Sequence, residues 1–338
     1  MGKGNIKRRL RVFLILMPIV VGFVALCIGR YMVEPKQVID VLTNQFLGFP
    51  EIVEDIDLSV VWKIRLPRIF LSMLVGMGLA VSGAAFQGLF SNPLATPDTL
   101  GVAAGAAFGA ALGLLLTSNM FLVQIIALIF GIIAVGLTHA ISKIKGISTN
   151  LMIVLAGMVT SAFFQALISL IKYVADPETK LPAITYWLMG SMSSISFNAL
   201  MTGAPFILVG VTILYILRWK LNILALSEDE AKTMGINVTY LRGLVIVAST
   251  LITASTVSMC GQVGWVGLLI PHTARMLVGS NNQKVIPVSI GLGSTYMIII
   301  DTLARSAIAA EIPLSILTAL IGAPFFAYLL RKTGGGWR

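Results

Sequence analysis

The chain has 338 residues, of which 57% are hydrophobic and only 11% are charged, with a formal net charge of +10. Soluble domains carry about a quarter charged residues, so this composition excludes a soluble domain and requires an integral membrane protein. The Lys and Arg residues are dispersed among loops rather than gathered on one face, which excludes nucleic acid as the partner.

The apolar runs are long and continuous, without the ten-residue alternation of a membrane barrel, so the expected fold is all-α. A span takes about 20 apolar residues, and about ten such runs fit. They lie at 12–32, 66–90, 98–117, 119–141, 150–173, 198–217, 240–260, 264–279, 285–305 and 313–331. Lys3, Lys7, Arg8, Arg9 and Arg11 precede the first run, in the manner of a signal peptide. No small-x-small cleavage site follows, and Leu26 is too bulky to precede a lipidated Cys27, so an uncleaved first span is expected. The long segment before the second run carries Glu34, Asp40, Glu51, Glu54, Asp55 and Asp57. Within it, Pro35–Leu47 fits an amphipathic helix on the surface.

Ala80, Ala84 and Gly88 share one face of the second run. Gly101, Gly105, Gly109 and Gly113 repeat every four residues on the third. Such a face admits a neighbouring helix closely; a wall of a translocation path is the alternative. The eighth run is short and contains Pro271, which predicts a broken or partial span at that proline. After the sixth run, ALSEDEAKTMGINV (225–238) is too polar for lipid and carries its own helix punctuation. Ser227 with Glu230 forms a capping box, and Gly235 is placed to end a short helix in the left-handed conformation.

With the N-terminus inside, most of the 24 Lys and Arg fall on cytoplasmic segments. Both termini and the 225–235 segment are then cytoplasmic. No GxxxxGK[ST] motif is present, so no nucleotide-binding P-loop is expected. His139 and His272 stand outside any HExxH pattern and are expected to be structural. Ser82–Gly83 lacks the glycine at position 80 that an intramembrane serine protease needs. Cys27 and Cys260 make neither a disulfide framework nor a metal spacing. Catalytic residues, bound metal and bound cofactor are therefore all expected to be none. Asp301 is the carboxylate deep in a run, and Arg305 four residues on is its expected partner. One acid is thin provision for an ion-coupled carrier, which stays as the rival reading.

The residues also carry a family resemblance. RLPRIFLSMLVGMGLAVSGAAFQGLFSNPLATPDTLGVAAG (Arg65–Gly105) resembles the opening signature of FecCD permeases, the membrane subunits of type II ABC importers for iron–siderophore complexes, haem and corrinoids. ALSEDEAKTMGINV, GQVGWVGLLIPHTARMLVG (Gly261–Gly279) and EIPLSILTALIGAPFFAYLLRK (Glu311–Lys332) follow in family order. The resemblance implies one transmembrane permease domain over 1–338 in the cytoplasmic (inner) membrane, moving an iron chelate by alternating access. Haem, a corrinoid or an oxyanion are the alternatives. It implies a second permease subunit, identical or paralogous, two cytosolic ATPases that bind ATP and Mg, an extracytoplasmic binding protein and surrounding lipid.

Residue by residue, the resemblance assigns ATPase coupling to Ala225, Ser227, Glu228, Asp229, Glu230, Ala231, Met234 and Gly235, against the bland reading of a stable surface turn. It assigns docking of the binding protein's acidic residues to Arg65, Arg68 and Arg305, against headgroup snorkelling. Asn92 and Leu94, with Ser148 and Thr149 more loosely, match the inner gate, against a structural cap. Gln87 and Gln165 are candidate pathway residues, with interhelical hydrogen bonding as the alternative.

Overall fold

The computed structural model describes residues 3–48, 53–143, 150–225 and 228–333. Among these residues the regular structure is entirely helical. In chain order, α1 (Lys3–Cys27) is followed by α2 (Pro35–Leu47) and α3 (Asp55–Leu58), and a π-helical stretch (Ser59–Arg65) leads into α4 (Leu66–Leu89). Then come α5 (Val102–Leu116), α6 (Met120–Ser142), α7 (Asn150–Val174), α8 (Lys180–Leu188) and α9 (Phe197–Leu217). The last five are α10 (Glu228–Thr233), α11 (Val238–Cys260), α12 (Val266–Val278), α13 (Asn282–Ser306) and α14 (Leu314–Thr333). Six helical stretches are long and apolar enough to cross a bilayer: 55–89, α6, α7, α9, α11 and α13. α1, α5, α12 and α14 add shorter apolar stretches, so every predicted run holds a helix.

α4 is the hub. Of its most apolar window 83% is buried, against 22% for α6 and 28% for α7, so α4 lies inside the bundle and the other two on its periphery. Small residues make this possible. A methyl group at Gly76 would overlap the carbonyl of Gly293 on α13, and one at Gly83 would overlap the carbonyl of Gly267 on α12. The three backbones therefore touch, and their dispersion contacts replace the hydrophobic drive that lipid does not supply. One buried apolar cluster runs from Leu14 through α4, α9 and α11 to Leu314.

Gly105, Gly109 and Gly113 all face α6, against Phe130, Ile126 and Val123. Gly101 departs from that stripe. It adopts φ +77° at the end of a 3-10 turn (Pro97–Leu100), before α5 begins, and faces Thr160 and Ser161 of α7.

The eighth run is a partial span and is not broken at Pro271. α12 runs through that proline, and the non-helical segment 261–265 joins it to α11, with Trp265 at φ +70° as the residue before α12. Thirteen residues of helix make about 20 Å, two thirds of a hydrocarbon core of about 30 Å. Non-helical backbone at such depth is tolerated where protein or a cavity surrounds it.

α2 has the predicted bounds. The Glu34 N–H donates to Gln37 Oε1 at 2.8 Å, and Gly48 ends the helix at φ +70°. Val38 and Val41 face the protein, while Ile39, Phe46 and Leu47 are exposed. α8 was not anticipated. The Asp176 carboxylate accepts the Thr179 hydroxyl (2.7 Å) and the N–H groups of Thr179 (2.7 Å) and Glu178 (3.1 Å) just before it, which holds that carboxyl below its ordinary range.

The two ends of the bundle differ chemically. The arginine end carries the start of α4, the end of α13, α2, and the segments 175–196 and 307–313. The opposite, loop end carries residues 90–101, α10 and the start of α13.

Candidate functional site

Between α4, α5, α7, α11 and α14 lies a cavity of about 370 Å³. The 261–265 segment between α11 and α12 forms one wall with Gln262, Val263, Gly264 and Trp265. Ser161 and Gln165 on α7, Thr253 and Thr256 on α11, and Ser315 on α14 add hydroxyls and an amide. Asp98, on the 3-10 turn before α5, is the acid among the lining residues, and no Lys or Arg joins it. A lining of hydroxyls and amides with a single carboxylate lets a polar solute pass without the deep well that a row of charges would create. Among the described residues, no group of three or more His, Cys, Asp and Glu is placed to hold a metal.

Toward the arginine end, the cavity is closed by backbone rather than side chains. Gly190 (φ +79°) and Gly261 (φ +72°) sit against one another, and a methyl at Gly261 would overlap the carbonyl of Trp187. The Ser191 N–H donates to the Cys260 carbonyl at 2.9 Å. The first turn of α14 joins the same layer, Leu314 N–H donating to Gly190 O (2.9 Å) and Ser315 N–H to Met189 O (3.1 Å). Neither glycine's role was legible in the sequence, because a single glycine in a loop carries no periodic signal.

The three expected docking arginines are not surface groups in this structure. Arg65 and Arg68 are each 4% exposed and Arg305 9%. Arg65 donates to the carbonyls of Leu26, Cys27 and Tyr31, and Arg305 donates to the carbonyl of Ala25. Both guanidinium groups thus satisfy orphan carbonyls at the end of α1, where the helix dipole favours a cation. Arg68 is held by two carboxylates. Its Nε lies 2.8 and 3.0 Å from the Asp301 oxygens, and its two terminal nitrogens donate to Glu311 Oε1 and Oε2 at 2.8 and 2.9 Å. In this structure all three guanidinium groups are engaged within the chain. Arg305 stands 3.9 Å from Asp301, so the expected helical pair is secondary to the pair with Arg68. Glu311, which completes the cluster, was not singled out from sequence. Nearby, the Tyr31 hydroxyl donates to Asp57 at 3.0 Å, which pushes the phenol pKa up.

At the loop end, Asn92 Oδ1 accepts the Leu94 N–H at 2.9 Å, making a local turn around Pro93 that leaves the Leu94 side chain 53% exposed. Ser148 and Thr149 lie outside the described residues. Gln165 is exposed and lines the cavity, whereas Gln87 does not. Gln87 is 4% exposed and its Oε1 accepts from Arg275 Nε at 3.4 Å, which ties α4 to α12 and corrects its expected place in the pathway. His272 is buried edge-on against Phe326, ring centroids 5.9 Å apart, and His139 is exposed near the end of α6.

α10 spans Glu228–Thr233, with Ala231 buried, Glu230 and Met234 exposed, and Gly235 at φ +74°. The Ile236 N–H returns to the Ala231 carbonyl at 3.3 Å, which closes the helix as the sequence predicts for a left-handed glycine. Ser227 lies outside the described residues, and the side chains of Ala225, Glu228 and Asp229 are not described. The 3-10 turn before α10 (Lys220–Ala225) buries Leu221, Ile223 and Leu224 in the core. Asn222 on that turn accepts the Asn282 N–H (2.8 Å) and donates to Asn281 Oδ1 (3.1 Å) at the start of α13.

Residues 16–332 match the model of the FecCD transport family. The chain belongs to that family. It is 40% identical, over 324 residues, to the molybdate import system permease protein MolB of Haemophilus influenzae, covering 96% of this chain and 95% of the relative. A Helicobacter pylori permease named for iron chelatin transport is 37% identical over 276 residues, 82% of this chain and 83% of the relative. Among solved structures, a metal-chelate type ABC transporter in an inward-facing conformation superposes with a TM-score of 0.86 at 40% identity, over 96% of this chain and 99% of that one. This FecCD protein is thus an ABC importer permease of the type II fold, an integral protein of the inner membrane. Its family is that of subunits without an ATPase site of their own.

Proposed function

We propose that this permease carries a small metal-bearing anion of the molybdate class inward through the cavity, by alternating access driven from a separate ATPase. The observation that carries the reading is the set of uncharged hydrogen-bonding groups on the cavity wall, Gln165, Gln262, Ser161 and Ser315, which suits a compact hydrogen-bonding solute and stands beside one carboxylate, Asp98. The Haemophilus relative named for molybdate supports it along nearly its full length. An iron chelate is the second reading, favoured by the Helicobacter relative.

In this reading both termini and α10 are cytoplasmic, the arginine end faces outward, and a second permease subunit completes the pathway. Two ATPases supply ATP and Mg, and α10 receives their stroke. The buried turn 220–225 and Asn222 carry it to α13, because a rigid anchored helix transmits motion that a loop would absorb. A binding protein delivers cargo at the arginine end, where the buried arginines shape the docking surface from behind. Asn92 and Leu94 border the cytoplasmic exit.

Proteoliposomes holding the permease, its ATPase and the binding protein test this with labelled molybdate and a labelled ferric siderophore. ATP-dependent accumulation of molybdate alone is expected. Accumulation of the siderophore alone selects the second reading, and uptake on an ion gradient without ATPase rejects both.

A further inference from the structure

We propose that Glu311 is the latch of the arginine end: its pair with Arg68 pins the first turn of α14 over the cavity, and its release opens that end to cargo. The inference rests on the reading that this end faces outward. Glu311 belongs to the non-helical segment 307–313, three residues before α14. Arg68 and Asp301 have side chains 4% and 2% exposed, whereas that of Glu311 is 26% exposed, so solvent reaches the cluster at Glu311. Asp301 alone still pairs Arg68 if Glu311 departs, so α4 and α13 keep their buried charge balanced. Those helices are also locked backbone to backbone at Gly76 and Gly293.

α14 packs through its second half, where Phe326 and Leu329 are buried and Gly322 meets Trp265, and presents an exposed apolar face along its length. Ile316, Leu320, Ile321, Phe325 and Tyr328 are exposed on it. Near its start it is held by Glu311, by the Ile312 N–H to the Ala304 carbonyl (3.1 Å), by buried Leu314, and by the two hydrogen bonds from Leu314 and Ser315 to Gly190 and Met189. Ser315 lines the cavity directly below. A partly exposed ion pair shifts an equilibrium by up to about fivefold, a size that a transport cycle can break and remake.

The test uses the permease–ATPase complex in proteoliposomes without nucleotide, in a background with Cys27→Ala and Cys260→Ala. A membrane-impermeant thiol reagent is applied from outside to a Ser315→Cys reporter, with and without Glu311→Gln. Labelling up to about fivefold faster with Glu311→Gln is expected. A Ser289→Cys reporter, fully buried on α13, stays unlabelled in both. Equal Ser315→Cys rates overturn the latch, and so does labelling of Ser289→Cys, which marks general loosening. A Ser193→Cys reporter on the exposed loop of the same end fixes sidedness. Its protection from outside reagent overturns the orientation instead of the latch.

Discussion

Asp301 concentrates the chemistry of the bundle in one side chain. It is 1% exposed, accepts both contacts from Arg68 Nε and lies beside Arg305. Removing one member of a buried charge cluster leaves its partners uncompensated, at a cost of about 3–5 kcal/mol. Asp301→Ala is therefore expected to lower the thermal midpoint of the detergent-solubilised protein sharply, while Lys36→Ala on the exposed face of α2 leaves it unchanged. Equal midpoints for the two variants would return Asp301 to a minor role. Asp176 behaves differently because it is a solvent-facing cap. Its hydrogen bonds to Thr179 and Glu178 lower its carboxyl pKa from the usual 3.8, so the cap is fully formed above that value and is lost as pH falls through the lowered one. Protection of the Glu178 and Thr179 amides, as the exchange rate relative to the unstructured rate at the same pH, should hold down to the ordinary carboxylate range and be lost only below it; absence of protection at neutral pH would refute the cap. The pair Asp301–Arg305 was readable because i and i+4 share a helix face. Arg68, 233 residues away, and Glu311 were not, since only the fold brings them together.

Helices reveal how differently two kinds of signal survive in a sequence. The ten apolar runs and the bounds of α2 were legible because each rests on composition or periodicity within one element. The gap between the seventh and eighth runs was legible too, but the expected break at Pro271 was not found, because α12 accommodates that proline within a continuous helix. α8 stayed hidden because nine residues of mixed polarity after a loop resemble the loop. Tight packing supplies a test at this scale. Gly83→Ala places a methyl into the Gly267 carbonyl, so α4 and α12 must separate, at about 1–3 kcal/mol. Gly243→Ala, with open space around it, is expected to be neutral by the same thermal assay. α10 obeys another rule. Nothing lies within 4 Å of a methyl added at Gly235, so Gly235→Ala costs only the left-handed backbone, about 1–2 kcal/mol confined to the end of α10. Replacing Glu230 and Gly235 together is expected to leave the bundle folded and to raise ATP hydrolysed per cargo molecule imported. An unchanged ratio would remove α10 from the coupling path.

At the scale of the whole molecule, the question is where the driving force enters. A carrier coupled to protons or sodium needs an ionisable group that the pathway alternately exposes to each side. Asp301 does not serve, because two arginines hold it inside the α4–α13 core, away from the cavity lining. Asp98 is the acid that does line the cavity, on a turn between two helices rather than within a span. It therefore separates the two mechanisms. If a separate ATPase supplies the energy, Asp98→Asn leaves the ATP-driven accumulation ratio of the reconstituted importer intact, because no charge on the path is stoichiometrically required. If the chain were an ion-coupled carrier, the same substitution would abolish accumulation while sparing exchange of cargo across the membrane, as expected when coupling is lost but the path remains. Measuring net uptake and exchange side by side in the Asp98→Asn protein decides between a conduit moved by a motor and a carrier that moves itself.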